Sequence, residues 1–247
     1  MRWLKFLSSL FLAGALGPAL ADEAAIRKAL EPKMGGVRIE AITPSPIPGL
    51  YEVQYRSADG IQIVFTDANG AYVIQNDGHL IDLRAGRDLT EERLRKANAV
   101  PFEKLPLDLA VKIQRGNGKR VLAMFTDPYC PYCQQFEKTL QTFDDITVYV
   151  FMYPVIRPQN ADHSKSVWCS PDRAKAWLDL ALQNRRPSAA PTCDNPVDKV
   201  LELGRTMRVQ STPTVILSNG ERFSGGLRAP ELREMLDKAA AAAATKR

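Results

Sequence analysis

Histidine is scarce in this chain. His79 and His163 are the only two in 247 residues, and neither stands at ligand spacing from a partner. Cysteine is almost as rare, with four in all and a single Cys-x-x-Cys. A zinc knuckle built on that pair would lack its other two ligands, so no metal and no cofactor are expected. Long apolar runs are missing too. None reaches the ~20 apolar positions of a membrane helix, so membrane insertion is not expected. A charge excess is likewise absent. Lys and Arg number 33 against 28 Asp and Glu, for a net +5. The two signs are interspersed as on an ordinary solvated surface. Nothing in that balance points to nucleic acid as a partner.

What stands first in the chain reads as a secretory leader. Arg2 and Lys5 give a positive start, residues 6–16 a short apolar core, and Ala19-Leu20-Ala21 a small-x-small cleavage site. The expectation is a signal peptide over 1–21, cut after Ala21, and an exported, soluble body. In an oxidising compartment an even cysteine count is a disulfide signal.

The most informative feature is Cys130-Pro131-Tyr132-Cys133. It follows the apolar run Val121-Leu122-Ala123-Met124-Phe125 and precedes a helix-like stretch over 134–143. On that junction the first sulfur lies at a helix N-terminus, where unpaired N–H groups and the helix dipole favour negative charge. The thiolate is the species that attacks disulfides. Two intervening residues let one helical turn bring the second sulfur within bonding distance of the first. Cys130 is therefore expected as the exposed nucleophile and Cys133 as the buried resolving thiol. Four cysteines admit three pairings. Proximity pre-pairs the two in the motif, which leaves Cys169 with Cys193 across a polar, Pro-broken segment. Such a bridge would contribute ~3 kcal/mol. It reads as a structural staple, since nothing nearby activates either sulfur.

The chain divides by pattern. Residues 22–36 look helical, ending near Pro32 and Gly35-Gly36. Alternating runs at 51–55, 61–65, 71–74 and 79–83 follow, broken by Ala58-Asp59-Gly60 and Asn69-Gly70, and read as an antiparallel meander. A domain over 22–84 results, small enough to need a second copy to cover its sheet. Asp88-Leu89-Thr90-Glu91 opens a charged helix over 91–99, stopped before Pro101. It is read as a solvent-bridging linker within 85–104. From 105 to 247 strands and helices alternate: strands at 121–125, 146–152 and 214–217, helices at 160–184 and 197–207, a hairpin at Asn219-Gly220, and a last helix opened by Pro230. The alanine run 239–244 is read as a frayed tail. The fold class is α+β, the second domain having a thioredoxin order with a helical insertion.

Thr212-Pro213 stands immediately before the third strand. In that order the proline is cis and faces the disulfide, leaving adjacent backbone free for an extended substrate chain. Asp127 has two readings, a local hydrogen-bonding residue at a Pro-containing turn or an aid to proton transfer. Trp168, Trp177 and Tyr149 read as core.

The segment 125–133, the pair Trp168-Cys169 and Cys193-Asp194, and Ser211-Thr212-Pro213 with Leu217-Ser218-Asn219-Gly220 together resemble the DsbC/DsbG family of bacterial thiol:disulfide interchange proteins. The resemblance implies a cystatin-like N-terminal dimerisation domain, a linker helix and a thioredoxin-like catalytic domain. It implies a periplasmic V-shaped homodimer that isomerises wrong disulfides in misfolded exported proteins and is kept reduced by the membrane reductase DsbD. Cys130 and Cys133 would be catalytic, and Pro131, Tyr132, Thr212 and Pro213 would meet substrate. Pro131-Tyr132 is the DsbG-like choice, whereas the extra Cys169/Cys193 pair is DsbC-like. A DsbG-like chaperone or reductase, a plain dithiol oxidase and a holdase are the alternatives.

Overall fold

The computed structural model describes residues 18–35, 37–74, 78–82 and 87–244. Most of the leader expected over 1–21 lies outside them. Two compact units divide between Thr90 and Glu91.

In the first unit, helix α1 (Pro18–Leu30) buries Ile26 and Leu30, one helical turn apart, and ends in a short 3-10 turn containing Pro32. Strands β1 (Arg38–Pro44), β2 (Leu50–Ser57), β3 (Gly60–Asp67) and β4 (Val73–Ile74) form an antiparallel sheet in that order. Ile26, Leu30, Ile39, Val53 and Val64 make its core. Sequence reading missed β1. A register shift between Ile39 and Ala41 breaks its period-2 alternation, and Ile39 is its one fully buried residue. The Asn69-Gly70 turn forms as expected. The Asp67 carboxylate accepts backbone N–H groups of Asn69 (3.3 Å), Ala71 (2.7 Å) and Tyr72 (2.9 Å). Gly70 has φ +66°, and a Cβ there would lie 2.7 Å from the Ala29 side chain, so glycine serves both the turn and the packing on α1. The run at 79–83 does not continue the meander. Strand β5 (Ile81–Asp82) pairs instead with β6 (Arg87–Asp88) as a separate ribbon, and residues 83–86 are outside the described ones.

Helix α2 (Leu89–Ala97) covers much of the charged run. Its second half is not the solvent-bridging connector expected. Arg95 pairs with Glu221 at 3.8 Å, and Val100 donates its N–H to Gly220 at 2.8 Å. Both contacts lie within the second unit, to which this part of the chain belongs.

The second unit runs β7 (Val111–Gln114), β8 (Arg120–Thr126), α3 (Pro131–Leu140), β9 (Ile146–Met152), α4 (Ala161–Cys169), α5 (Arg173–Gln183), α6 (Val197–Thr206), β10 (Thr214–Leu217), β11 (Arg222–Ser224) and α7 (Ala229–Ala244). The sheet order is β11-β10-β8-β9-β7, with β8 and β9 parallel and the other pairs antiparallel. A central strand covered on both faces must be apolar through its middle, and Val121 to Phe125 of β8 are. Leu122 and Met124 join Phe136, Leu140, Trp177 and Leu236 in one core. Ala123 and Phe125 point the other way, into a core with Phe151, Val200 and Ile216. Phe125 and Phe151, in register on the parallel pair, stack at 5.0 Å. Strand β7 escaped the sequence reading because four residues are too few to show a period. The alanine run is not a frayed tail. It belongs to α7, and Ala239 is fully buried against the core.

Candidate active site

Strand β8 ends at Thr126, and residues 127–130 turn the chain into α3. Cys130 is the N-cap of that helix, in extended conformation (φ −83°, ψ 119°), with Pro131 at the first helical position. Its carbonyl accepts the Gln134 N–H at 3.0 Å. Antiparallel pairing of β10 with β8 sets Thr214 opposite Phe125. The residues leaving β8 therefore meet those entering β10. The Thr212–Pro213 peptide there is cis, and the Cys130 thiol donates to the Thr212 carbonyl at 3.3 Å.

Cys130 and Cys133 are both free thiols. The expectation of an exposed Cys130 is corrected: it is 3 % exposed, Cys133 is 4 %, and the Thr212 backbone lies against the first sulfur. What the motif shows to solvent is Pro131 and Tyr132, the latter 74 % exposed. Burial pushes the Cys133 thiol up to about 12, against opposing hydrogen bonds from the Thr126 side chain and the Asp127 backbone. At neutral pH Cys133 stays protonated, while Cys130 holds the helix N-terminus.

Asp127 is completely buried, and its two carboxylate oxygens are taken up by backbone. One accepts from Tyr129 N–H at 2.7 Å, the other from Ile156 N–H at 2.7 Å. It binds the turn before Cys130 to the segment after β9, which is the local hydrogen-bonding reading of this residue.

Glu137, one helical turn past Cys133, was not singled out from sequence. Its place beside Phe136 in a buried helical stripe was the available signal. It is 2 % exposed and accepts from Trp177 Nε1 (3.4 Å) and Gln141 Nε2 (3.3 Å). Arg115 binds Gln141 and the carbonyls of Leu140 and Phe143 at the C-terminal end of α3, where a cation complements the helix dipole. Burial pushes the Glu137 carboxyl up from 4.5 to about 7. The folded protein then holds a proton that the unfolded chain releases. Stability from this group is present below pH 4.5 and declines as pH rises toward 7. Glu137→Gln should flatten that decline and raise stability above neutrality by on the order of 1–2 kcal/mol. Urea midpoints of wild type and variant across pH 5–8 check it, and parallel pH profiles would count against the assignment.

Cys169 at the end of α4 is bonded to Cys193, with Cα atoms 5.7 Å apart. Beside it Arg173 lies 3.8 Å over the Trp168 ring and donates to the Trp168 carbonyl at 2.7 Å. Trp168 and Trp177 are buried in the core as expected, and Tyr149 is half-buried. His163 hydrogen-bonds the Tyr129 hydroxyl, and His79 pairs with Asp88. The Tyr129–His163 contact joins residues too far apart in sequence to be foreseen.

A thioredoxin-like sheet with a dithiol at the N-terminus of its first helix, facing a cis-proline loop, defines a thiol–disulfide oxidoreductase. Comparison agrees. Residues 107–240 match the thioredoxin-like domain family, and residues 17–91 match the disulfide bond isomerase protein N-terminal domain. The probable thiol:disulfide interchange protein DsbC of Bordetella pertussis is 42 % identical over 212 residues, covering 86 % of this chain and 73 % of its own. The DsbC of Escherichia coli K12 is 29 % identical over 240 residues, covering 94 % and 95 %. A crystal structure of a disulfide interchange protein from Neisseria gonorrhoeae superposes with TM-score 0.53 at 40 % identity, over 55 % of this chain and 99 % of its own. The chain belongs to the DsbC family of thiol:disulfide interchange proteins.

Proposed function

We propose that the protein is a periplasmic disulfide isomerase in which Cys130 is the nucleophile and Cys133 the resolving thiol. The observation that carries this is the unequal setting of the two sulfurs: Cys130 caps α3 beneath the Thr212 carbonyl, while Cys133 is buried one turn inside and held protonated. The Cys130 thiolate attacks one sulfur of a wrong disulfide. That bond breaks, a mixed disulfide forms, and the other substrate sulfur leaves as thiolate. A second substrate thiolate then attacks the mixed disulfide, forms a new pairing and releases Cys130, with no net change in oxidation. Should Cys133 attack first, substrate leaves reduced and Cys130–Cys133 is left oxidised. A reductant must then restore the pair, and the membrane reductase DsbD has that role in this reading. A Cys133 proton that is hard to remove slows the second route and favours the first. Thr212 and Pro213, at the head of β10, would meet the substrate backbone, and Pro131 and Tyr132 its side chains.

The first unit supports assembly as a homodimer. Strand β4 is an edge strand of its sheet, with two residues paired to β3 and no further strand beyond it among the described residues. Tyr72 is 80 % exposed and Ile74 50 %. An open edge bearing large apolar side chains is a template for a second copy, and a two-fold pair would cover both. Sedimentation should give a dimer, and Ile74→Glu should shift it toward monomer. A wild type sedimenting as monomer would refute the assembly.

Refolding of a scrambled multi-disulfide substrate, with no net oxidant supplied, tests the activity. Recovery of native pairings supports an isomerase. Accumulation of fully reduced substrate supports the reductase alternative, and suppression of aggregation without re-pairing supports the holdase.

A further inference from the structure

Tyr129, the residue before Cys130, meets an arginine and a histidine from two other parts of the chain. The Arg157 guanidinium, from the segment after β9, lies over its ring at 5.6 Å from the centroid. His163, in the first turn of α4, hydrogen-bonds its hydroxyl, with the two rings 5.7 Å apart. Burial pushes the Tyr129 phenol up, and the charges of Arg186 and Arg157 pull it back. Both arginines are exposed. Neither has an ion-pair partner among the described residues.

The nearby carboxylates are engaged elsewhere. Asp127, which acts on the Tyr129 hydroxyl in the opposite sense, is fully buried, with both oxygens on backbone N–H groups. Asp162 is exposed and pairs with Lys165 at 3.9 Å. The Arg157 charge is also well placed. Its neighbour Ile156 is fixed to Asp127 through the 2.7 Å backbone bond, and its own guanidinium rests on the residue adjoining Cys130. A guanidinium seated on an aromatic face keeps its donors free for a carboxylate.

We propose that Arg157, seated on the residue before Cys130, provides a basic rim that selects substrate segments carrying an acidic side chain close to the cysteine under attack. The inference rests on Cys130 as the nucleophile. It adds a preference that a neutral cleft would not have. An exposed charge pair is worth a few-fold in rate or affinity and is weakened by salt, so the effect is one of selection among substrates.

The test uses the reduced full-length protein and three peptides, each linked by a disulfide to the same chromogenic aryl thiol. The peptides differ only in carrying Glu, Gln or Lys near the cysteine. Second-order exchange rates, each divided by the rate with dithiothreitol to remove intrinsic reactivity, should fall in the order Glu, Gln, Lys. The Glu-to-Lys ratio should be roughly five- to tenfold at low salt and shrink at about 0.5 M salt. The variant R157Q should bring the ratio near unity, and R157K should keep most of it. A wild-type ratio near unity, or one unchanged in R157Q, overturns the rim and leaves the Cys130 reading intact. Exchange of the Gln peptide by Cys130→Ala at the wild-type rate overturns the Cys130 reading, and the rim with it.

Discussion

Cys130→Ala should lower disulfide exchange by on the order of a thousandfold or more, since no other thiolate can take over the attack. Cys133→Ala should behave differently: attack continues, but the internal exit is closed. A covalent adduct between Cys130 and substrate should accumulate, appear as a mass shift, and disappear with dithiothreitol. The contrast follows from the setting of the two sulfurs. Cys130 lies at the α3 N-terminus against the Thr212 carbonyl, whereas burial pushes Cys133 up to about 12. Adduct trapped on Cys133, or undiminished exchange by Cys130→Ala, would reverse the assignment.

Replacing Cys169 and Cys193 together with Ala should cost about 2–4 kcal/mol of stability, the range for a bridge closing a loop of this size. The bridge spans 24 positions and links the end of α4 to the segment before α6. That intervening chain contains α5, whose Trp177 is 1 % exposed and meets Glu137 on the active-site helix. The loss should therefore register in unfolding midpoints. Exchange by the protein that remains folded should be largely spared, because the Cys130 site is built on the N-terminus of α3 and the Thr212 carbonyl and uses neither of these sulfurs. Urea unfolding of the double variant, with exchange measured well below its midpoint, checks both parts. A stable variant with impaired exchange would move the bridge from a structural role to a chemical one.

Much of this was legible because it is local. A Cys-x-x-Cys between an apolar strand and a helix needs only strand and helix periods to be read, and β8, α3, β9 and β10 stand where those periods place them. The Asn69-Gly70 turn is a property of two residues. Pairing Cys169 with Cys193 followed from counting, once proximity had joined the other two. Other elements failed for equally local reasons. A bulge hid β1, four residues were too few to announce β7, and a uniform alanine run gave no sign that Ala239 would be buried.

The sequence by itself determined the chemistry: two thiols, their spacing, the helix that begins at the first of them, and the proline that precedes the last central strand. These are short-range facts, set by side-chain identity and backbone preference over a few residues. Only the tertiary structure decided how the thiols differ. Cys130 is covered by a carbonyl 82 positions away, supplied by the antiparallel register of β10 on β8. Cys133 is kept protonated by desolvation, which depends on everything packed around it. The Arg157 and His163 contacts on Tyr129 come from separate stretches of chain, and no sequence period links them. Desolvation and Coulomb interaction act through space, and only the folded chain fixes those distances.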